Sequence, residues 1–484
     1  MRHAGIAFLL VISTSGAGFG CGSSSHAGGA DGGGGARPDA ATITTVTNVG
    51  TGACTFSASY SLSSKIGTVG IVNWSTTLPS PTAAQIDFGL DTSYGMRAPV
   101  DLTQASYRTL LLGMKPARTY HFQISAMNDD GTCTSGDLTI ATGAMPNGFN
   151  YPTTTTNNAS GLYGGFLVTG QYGQSPSGAP AYILDQDGEL VWWYTVPGSD
   201  ATGVTMSYDG NYVWINSVNV PNSTAHVHRV SMDGLTDEDH SSEFTGLSHQ
   251  LTVLPDETVA FYAYGTNGCD DIKLRAPDGT VTTVVNAQVA HQGTSPCHVN
   301  AIFYSPMDDT LVFSDLDNNC LTKVTRTGTT VWVLNGGAGN GPVSSFNGGG
   351  VVWEGGQHGF HVLGLDDFVI FNNNSTVPAG SGVKWTGTPA IGTGMGSQAI
   401  EVKLDLSAWT ATAIWTYAPM GTAFEDNILG DVQRLPNGNT MVDFATKGLI
   451  EEVAADGTVL QQIKTPVNFG YMQKRATLYG PPPR

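Results

Sequence analysis

A chain of 484 residues with 63 glycines, only 12% charged residues and a formal charge of −19 suits many short strands joined by turns, not long charged helices. So acidic a balance excludes nucleic acid as an expected partner, because a phosphate backbone needs a basic face. It leaves open what a small local pocket binds.

The first element is an export signal. Arg2 and His3 open it, residues 4–12 form an apolar run too short for a permanent membrane span, and small residues lead to Gly20-Cys21. Residues 1–21 resemble a bacterial lipoprotein signal, although Gly18 stands where such signals usually carry Leu. That resemblance implies lipidation of Cys21 and an exported protein held through its lipid at the outer membrane, on the periplasmic or cell-surface face. Residues 22–42 are rich in Gly, Ser and Ala and are expected to form a flexible tether. No later segment is apolar enough to span a membrane.

Residues 43–145 alternate apolar and polar side chains in short runs, as Val72 and Trp74 or Ile86 and Phe88 do. The stretch Leu112-Gly113-Met114-Lys115-Pro116-Ala117-Arg118-Thr119-Tyr120 resembles the Leu-x-Pro-x-x-x-Tyr corner of fibronectin type III domains. That implies a β-sandwich in which the Tyr hydroxyl caps nearby backbone. Asp129-Asp130-Gly131 is the expected turn of its last hairpin. Cys54 and Cys133 can pair within this domain. Of Cys269, Cys297 and Cys320, at most two can pair with each other, and spacing does not choose them. The absence of a Cys-x-x-Cys pair gives a thiolate metal site little support.

Residues 150–484 carry a weak repeat. A turn dipeptide precedes a β-rich strand at Asp187-Gly188 (before Val191-Trp192), Asp233-Gly234, Asp278-Gly279, Thr327-Gly328 (before Val331-Trp332) and Asp456-Gly457. The first four are spaced by 46, 45 and 49 residues. Trp415 takes the strand position in a divergent unit between the last two. A second turn stands earlier in each unit, at Asp209-Gly210, Pro255-Asp256, Asp308-Asp309, Asp366-Asp367 and Asn437-Gly438. Two hairpins per unit make a four-stranded sheet, and six such sheets in a ring make a six-bladed β-propeller. The all-β fold expected is therefore a fibronectin type III-like sandwich followed by that propeller, with the segment from Tyr471 to Tyr479 closing the ring. The paired carboxylates at Asp308, Asp309, Asp366 and Asp367 are read as solvated turns in preference to a calcium site.

Histidines fall in register on these units. His249 stands six residues before Pro255, His298 eight before Pro306 and His358 eight before Asp366, while Asp431 stands five before Pro436. Each therefore begins an innermost strand, where side chains converge at one mouth of a central channel.

Several of these stretches resemble the bacterial arylsulfate sulfotransferase family. They are Ser248-His249, His298-Val299-Asn300, Gln357-His358, Gly430-Asp431-x-x-Arg434-Leu435-Pro436-Asn437-Gly438-Asn439 and Arg475-Ala476-Thr477-Leu478-Tyr479, with Leu334-Asn335-Gly336-Gly337 and Phe346 in the family's order. The resemblance implies sulfuryl transfer from a phenolic sulfate ester to a phenol, with no cofactor and no metal. His358 matches the nucleophile that would carry a sulfohistidine. His249 and His298, with Asn300, would donate hydrogen bonds to the sulfuryl oxygens, and one of the two histidines could protonate the departing phenolate.

The sequence departs from the family at one place. Where the family has an Arg against the sulfuryl group, this chain reads Phe313-Ser314-Asp315-Leu316-Asp317, with two carboxylates and no cation. Lys323 and Arg326, on the following strand, are the nearest substitutes. The alternative is a propeller that has lost activity and serves as a surface-anchored module binding a ligand or protein. Asp187-Gly188 with Val191-Trp192 also resembles the packing motif of quinone-cofactor dehydrogenase propellers, where Trp docks between blades; the packing role is the one expected here.

Overall fold

Along the strand Phe56–Leu62, Phe56, Ala58 and Tyr60 turn inward while Ser57 and Ser59 stay half-buried, the period of two that a half-covered strand imposes. The computed structural model describes residues 42–51, 54–147, 150–172, 179–197, 200–217, 225–265, 267–335, 357–373, 396–419, 426 and 428–481. The proposed export signal, the lipidation site Cys21 and nearly all of the tether lie outside these residues, as do Gly336, Gly337 and Phe346.

Two antiparallel sheets fold residues 44–141. One pairs Thr44–Val49, Phe56–Leu62, Gly70–Thr76 and Thr109–Leu111; the other is built around Ala83–Gly89 and Thr119–Asn128. Their inner faces share a core of Phe56, Tyr60, Trp74, Phe88 and Phe122. Each such side chain contributes about 1.5–3 kcal/mol on burial. Tyr120 is buried, and its hydroxyl accepts the backbone N–H of Lys115 at 2.8 Å, the capping bond expected of the corner. Cys54 and Cys133 are joined by a disulfide.

Among the described residues six antiparallel sheets follow, and the chain is nearly all-β in the propeller-like manner expected. Four have the same plan, each using its strands in sequence. These begin with Gly203–Met206, Leu247–Val253, Val299–Ser305 and Gln357–Gly364. The sixth begins with Asp431–Arg434 and gains an extra outer strand, Thr153–Thr156, on Val459–Lys464. The first sheet has only three strands of its own, Phe166–Tyr172, Ala179–Leu184 and Leu190–Val196. Its fourth comes from the C-terminal end, where Gln473–Arg475 pairs with Phe166–Tyr172. The closing strand is also tied to the sixth sheet. Gln433 brackets Lys474 by accepting its N–H at 2.7 Å and donating to its carbonyl at 3.1 Å. The closing strand is thus shorter than the Tyr471–Tyr479 stretch suggested, and Tyr479 goes elsewhere.

The turn dipeptides sit where a left-handed residue is required. Gly188 has φ +77° and Gly457 φ +84°, conformations that an L side chain resists. The tryptophans that follow such turns dock on the next sheet. Trp192 Nε1 donates to Met232 O at 2.9 Å, Trp415 Nε1 to Ala455 O at 2.9 Å, and Trp332 stacks on Phe368 at 5.6 Å. Their role is packing. The hairpin carboxylates are ion-paired, Asp308 with Lys323 at 2.5 Å and Asp366 with Lys403 at 2.8 Å.

The two regions are joined by a mixed seam. Ile66, Val69 and Leu112 enter the same core as Leu184, Val191 and Trp192. Tyr479 leaves the ring to meet the sandwich, donating to Leu110 O at 3.0 Å and accepting from Leu112 N at 2.8 Å. Lys115 faces Asp185, Asp187 and Glu189.

Candidate functional site

His249 is the third residue of Leu247–Val253, His298 immediately precedes Val299–Ser305, and His358 is the second residue of Gln357–Gly364. These are the first strands of three successive sheets and pack against one another, so their starts meet at one place. The ring of His249 lies 5.3 Å from that of His298 and 6.1 Å from that of His358, centroid to centroid. It also stacks on Tyr262 at 6.5 Å.

Burial drives the His249 pKa well below 6.5, and the neighbouring His298 and His358 add to the shift. The ring is therefore neutral at physiological pH, with its Nδ1 2.6 Å from Ser248 Oγ. His298 Nε2 is buried and has no hydrogen-bond partner among the described residues. An imidazole nitrogen in that setting can donate to, or take a proton from, a group that enters the site.

Each histidine is held through its backbone from a neighbouring sheet or loop. Asn216 Nδ2 donates to His249 O at 3.0 Å. The backbone N–H of His298 goes to Asp315 Oδ1 at 3.1 Å, that of Val299 to Asp270 Oδ2 at 2.7 Å, and Cys297 is joined to Cys269. For His358, the preceding carbonyl of Gln357 accepts from Asn300 Nδ2 at 2.6 Å and the following N–H of Gly359 donates to Gly430 O at 3.0 Å. A Cβ at Gly359 would stand 2.1 Å from Asp431 Oδ1; glycine is what lets these strands approach.

Asn300 is thus engaged with the strand that carries His358. Its Oδ1 is buried with no partner among the described residues, and its own carbonyl accepts the Tyr471 hydroxyl at 2.5 Å. Asp431, in register with the histidines, is buried and accepts Val432 N and Met472 N at 2.8 and 3.1 Å. Burial raises its pKa to about 7.

Four contributors escaped the sequence reading. Asn373 lies one residue past the strand Asp367–Asn372, and its Oδ1 is 2.6 Å from His358 Nδ1. Only a run of asparagines marks it. Asp270 adjoins Cys269 but has no motif of its own, and Tyr471 lies in the closing segment. His291 ends a five-residue helix, Ala287–His291, that no periodicity announced.

His291, Cys297 and Asp315 offer ligand atoms within 4.8 Å of one another, close enough to share an ion. Their bonding argues against one. Cys297 is committed to the disulfide, and His291 Nδ1 accepts the N–H of Gly293 at 2.9 Å. Nε2 must then carry the ring proton, which it donates to Asp315 Oδ2 at 2.9 Å.

Residues 275–469 match the family model Arylsulfotransferase (ASST). Over that span the chain is similar to the arylsulfotransferase family. The matched span contains His298, Asn300, His358 and Asn373, and His249 lies upstream of it. No curated protein matches the chain. Among solved structures, a putative 6-phosphogluconolactonase from Bacteroides fragilis is 12% identical over 64% of this chain and 97% of its own, with a TM-score of 0.40. The periplasmic gluconolactonase PpgL of Pseudomonas aeruginosa is 12% identical over 73% and 94%, TM-score 0.40. The β-propeller domain of Cps50 (Swd1) from Myceliophteria thermophila is 8% identical over 67% and 92%, TM-score 0.39.

Within the matched span, the stretch that departs from the family pattern has a different task. Asp315 is buried, and its carboxylate accepts four hydrogen bonds: His298 N and Asn318 N at Oδ1, His291 Nε2 and Asn318 Nδ2 at Oδ2. It holds the His298 loop. The Asp317 carboxyl is pushed up chiefly by burial, with His298 opposing and Asp315 adding to the rise. Lys323 is paired with Asp308, and Arg326 with Asp256 at 2.9 Å and Asp309 at 3.4 Å. Both cations are committed to hairpin carboxylates, so neither stands in for the family's Arg.

Proposed function

We propose that this protein is an arylsulfotransferase-like enzyme that moves a sulfuryl group from a phenolic sulfate ester to a phenol, through a sulfohistidine on His358. The family domain supports sulfotransferase-like chemistry, with an aryl sulfate donor and a phenol acceptor. The observation that carries the reading is the convergence of His249, His298 and His358, at 5.3 and 6.1 Å between rings. One imidazole can attack sulfur while two others serve the oxygens and the leaving group.

In the first step the lone pair of His358 forms the N–S bond, and the S–O bond electrons leave with the phenolate. The phenolate takes a proton from water or from a protonated His298. In the second step the acceptor hydroxyl attacks sulfur, gives its proton to a neutral imidazole, and returns the N–S pair to His358. His249 suits the task of base and hydrogen-bond partner because burial keeps it neutral.

A second reading is a non-catalytic surface module that binds a ligand or protein. The presence of Asp315 and Asp317 where the family has a cation favours it, because negative charge shifting onto the sulfuryl and leaving oxygens gains from a fixed positive charge. Mixing the purified protein with a chromogenic aryl sulfate and a phenol acceptor separates the two. Turnover with ping-pong kinetics that falls at least about 10³-fold in His358→Ala is expected. No turnover by wild type, or full turnover in His358→Ala, removes the enzymatic reading. Export, lipidation at Cys21 and residence at the outer membrane complete the proposal and are tested by metabolic labelling with a fatty acid.

A further inference from the structure

His358 Nδ1 lies 2.6 Å from Asn373 Oδ1. Which of the two atoms donates is decided on the far side of Asn373. Its Nδ2 donates to Asp426 O and to Leu429 O, both at 2.8 Å. Turned over, the amide would set its oxygen against two carbonyls, which have nothing to donate. Oδ1 therefore faces the imidazole and can only accept, so the ring proton sits on Nδ1.

The amide is itself built in. Asn373 is fully buried. Ser397 Oγ donates to Asn373 O at 2.5 Å and accepts the N–H of Asp426 at 2.7 Å. The Asp426 carboxylate in turn takes the N–H of Thr446 at 2.8 Å, and also its hydroxyl. Three segments distant in sequence thus lock one side chain in one orientation.

We propose that Asn373 is a positioning residue that fixes His358 as the Nδ1–H tautomer and so makes Nε2 the atom that takes up the sulfuryl group. This deepens the sulfotransfer reading and rests on it. When Nε2 forms the N–S bond, the aryl oxygen leaves with the S–O pair and the Nδ1 proton stays. The ring then bears a positive charge beside the sulfonate, and the Nδ1–H···Oδ1 bond becomes charge-assisted. A bond that strengthens as the ring charges lowers the barrier to sulfurylation of the ring and adds little to substrate binding.

Full-length protein labelled with ¹⁵N-histidine decides the tautomer, with His358→Gln identifying the signals of His358. Near pH 7.5 the expected result is a protonated Nδ1 and an unprotonated Nε2; a ring protonated on Nε2 alone overturns the proposal. In the chromogenic aryl sulfate assay, Asn373→Ala should lower kcat at least about 10-fold with KM within about twofold. If the wild type is active and Asn373→Ala keeps its kcat, the positioning role fails and the sulfotransfer reading stands. If the wild type turns over no aryl sulfate, that reading falls. In that case, or if Asn373→Ala does not fold, the ring shifts of the wild type still decide the tautomer.

Discussion

Asp315 Oδ1 accepts the backbone N–H of His298 at 3.1 Å while Oδ2 of the same carboxylate accepts His291 Nε2 at 2.9 Å. One buried side chain therefore spans the helix Ala287–His291 and the start of an innermost strand. Removing it strands four donors in the interior, and leaving such buried donors unpaired costs about 1–3 kcal/mol each before the site relaxes. Asp315→Ala should lower the denaturation midpoint markedly and, if the protein is a sulfotransferase, reduce kcat more than KM. Chemical denaturation with a kinetic assay checks both. A variant as stable as wild type contradicts the clamp.

The Cys269–Cys297 disulfide acts on the same loop from the other side, since Cys297 immediately precedes His298. Cross-linking residues 28 apart restricts the unfolded chain by about 3–4 kcal/mol in the loop-entropy treatment. Cys269→Ser with Cys297→Ser should lose stability of that order. The Cys54–Cys133 bridge is remote in sequence from the histidines, so replacing it should cost stability without altering turnover. Equal effects of the two replacements on kcat would remove the distinction.

Much of this architecture could be read before any coordinates. Turn dipeptides such as Asp187-Gly188 and Asp456-Gly457 announce themselves because left-handed φ leaves few choices. The docking tryptophans follow at fixed distances. The histidines keep register because each marks the start of a strand, a position counted back from its turn. What escaped notice lies off that period. Asn373 meets His358 from the end of the adjacent strand, Asp270 reaches Val299 across a loop, and His291 belongs to a single helical turn. Such contacts join residues whose spacing obeys no repeat. Asp315 was visible, but its four donors were not, because they come from backbone and from His291 and Asn318 at no fixed spacing. The choice of Cys297 over Cys320 for pairing with Cys269 was geometric in the same sense.

Asp443 stands opposite Asp431 on paired strands, wholly buried, with neither oxygen hydrogen-bonded among the described residues. Burial first, then Asp426 and Asp431, raises its pKa well above the usual carboxylate range. The native state therefore keeps a proton that the unfolded chain releases above about pH 4. Wild-type stability must fall as pH climbs from that value toward the native pKa. Asp443→Asn mimics the protonated acid at every pH, so its advantage over wild type should grow with pH. Roughly 2–4 °C in Tm at pH 8 is expected, shrinking toward pH 5. A pH-independent difference, or a deficit that widens with pH, contradicts the assignment.

The seam between the sandwich and the ring yields a prediction in which stability and chemistry part company. Tyr479 follows the closing strand, and its hydroxyl both donates to Leu110 O and accepts from Leu112 N. Tyr479→Phe keeps the ring's packing and removes only the oxygen. It leaves a part-buried carbonyl and a part-buried N–H without that partner, which costs about 1 kcal/mol. The histidine cluster is built from other sheets and other bonds, so kcat and KM in the aryl sulfate assay should stay within about twofold of wild type. Limited proteolysis should in contrast cleave the variant faster between residues 145 and 166, where the chain passes from one region to the other. Loss of turnover without loss of stability would mean that the sandwich contributes to the chemistry directly, through a route that this seam does not provide.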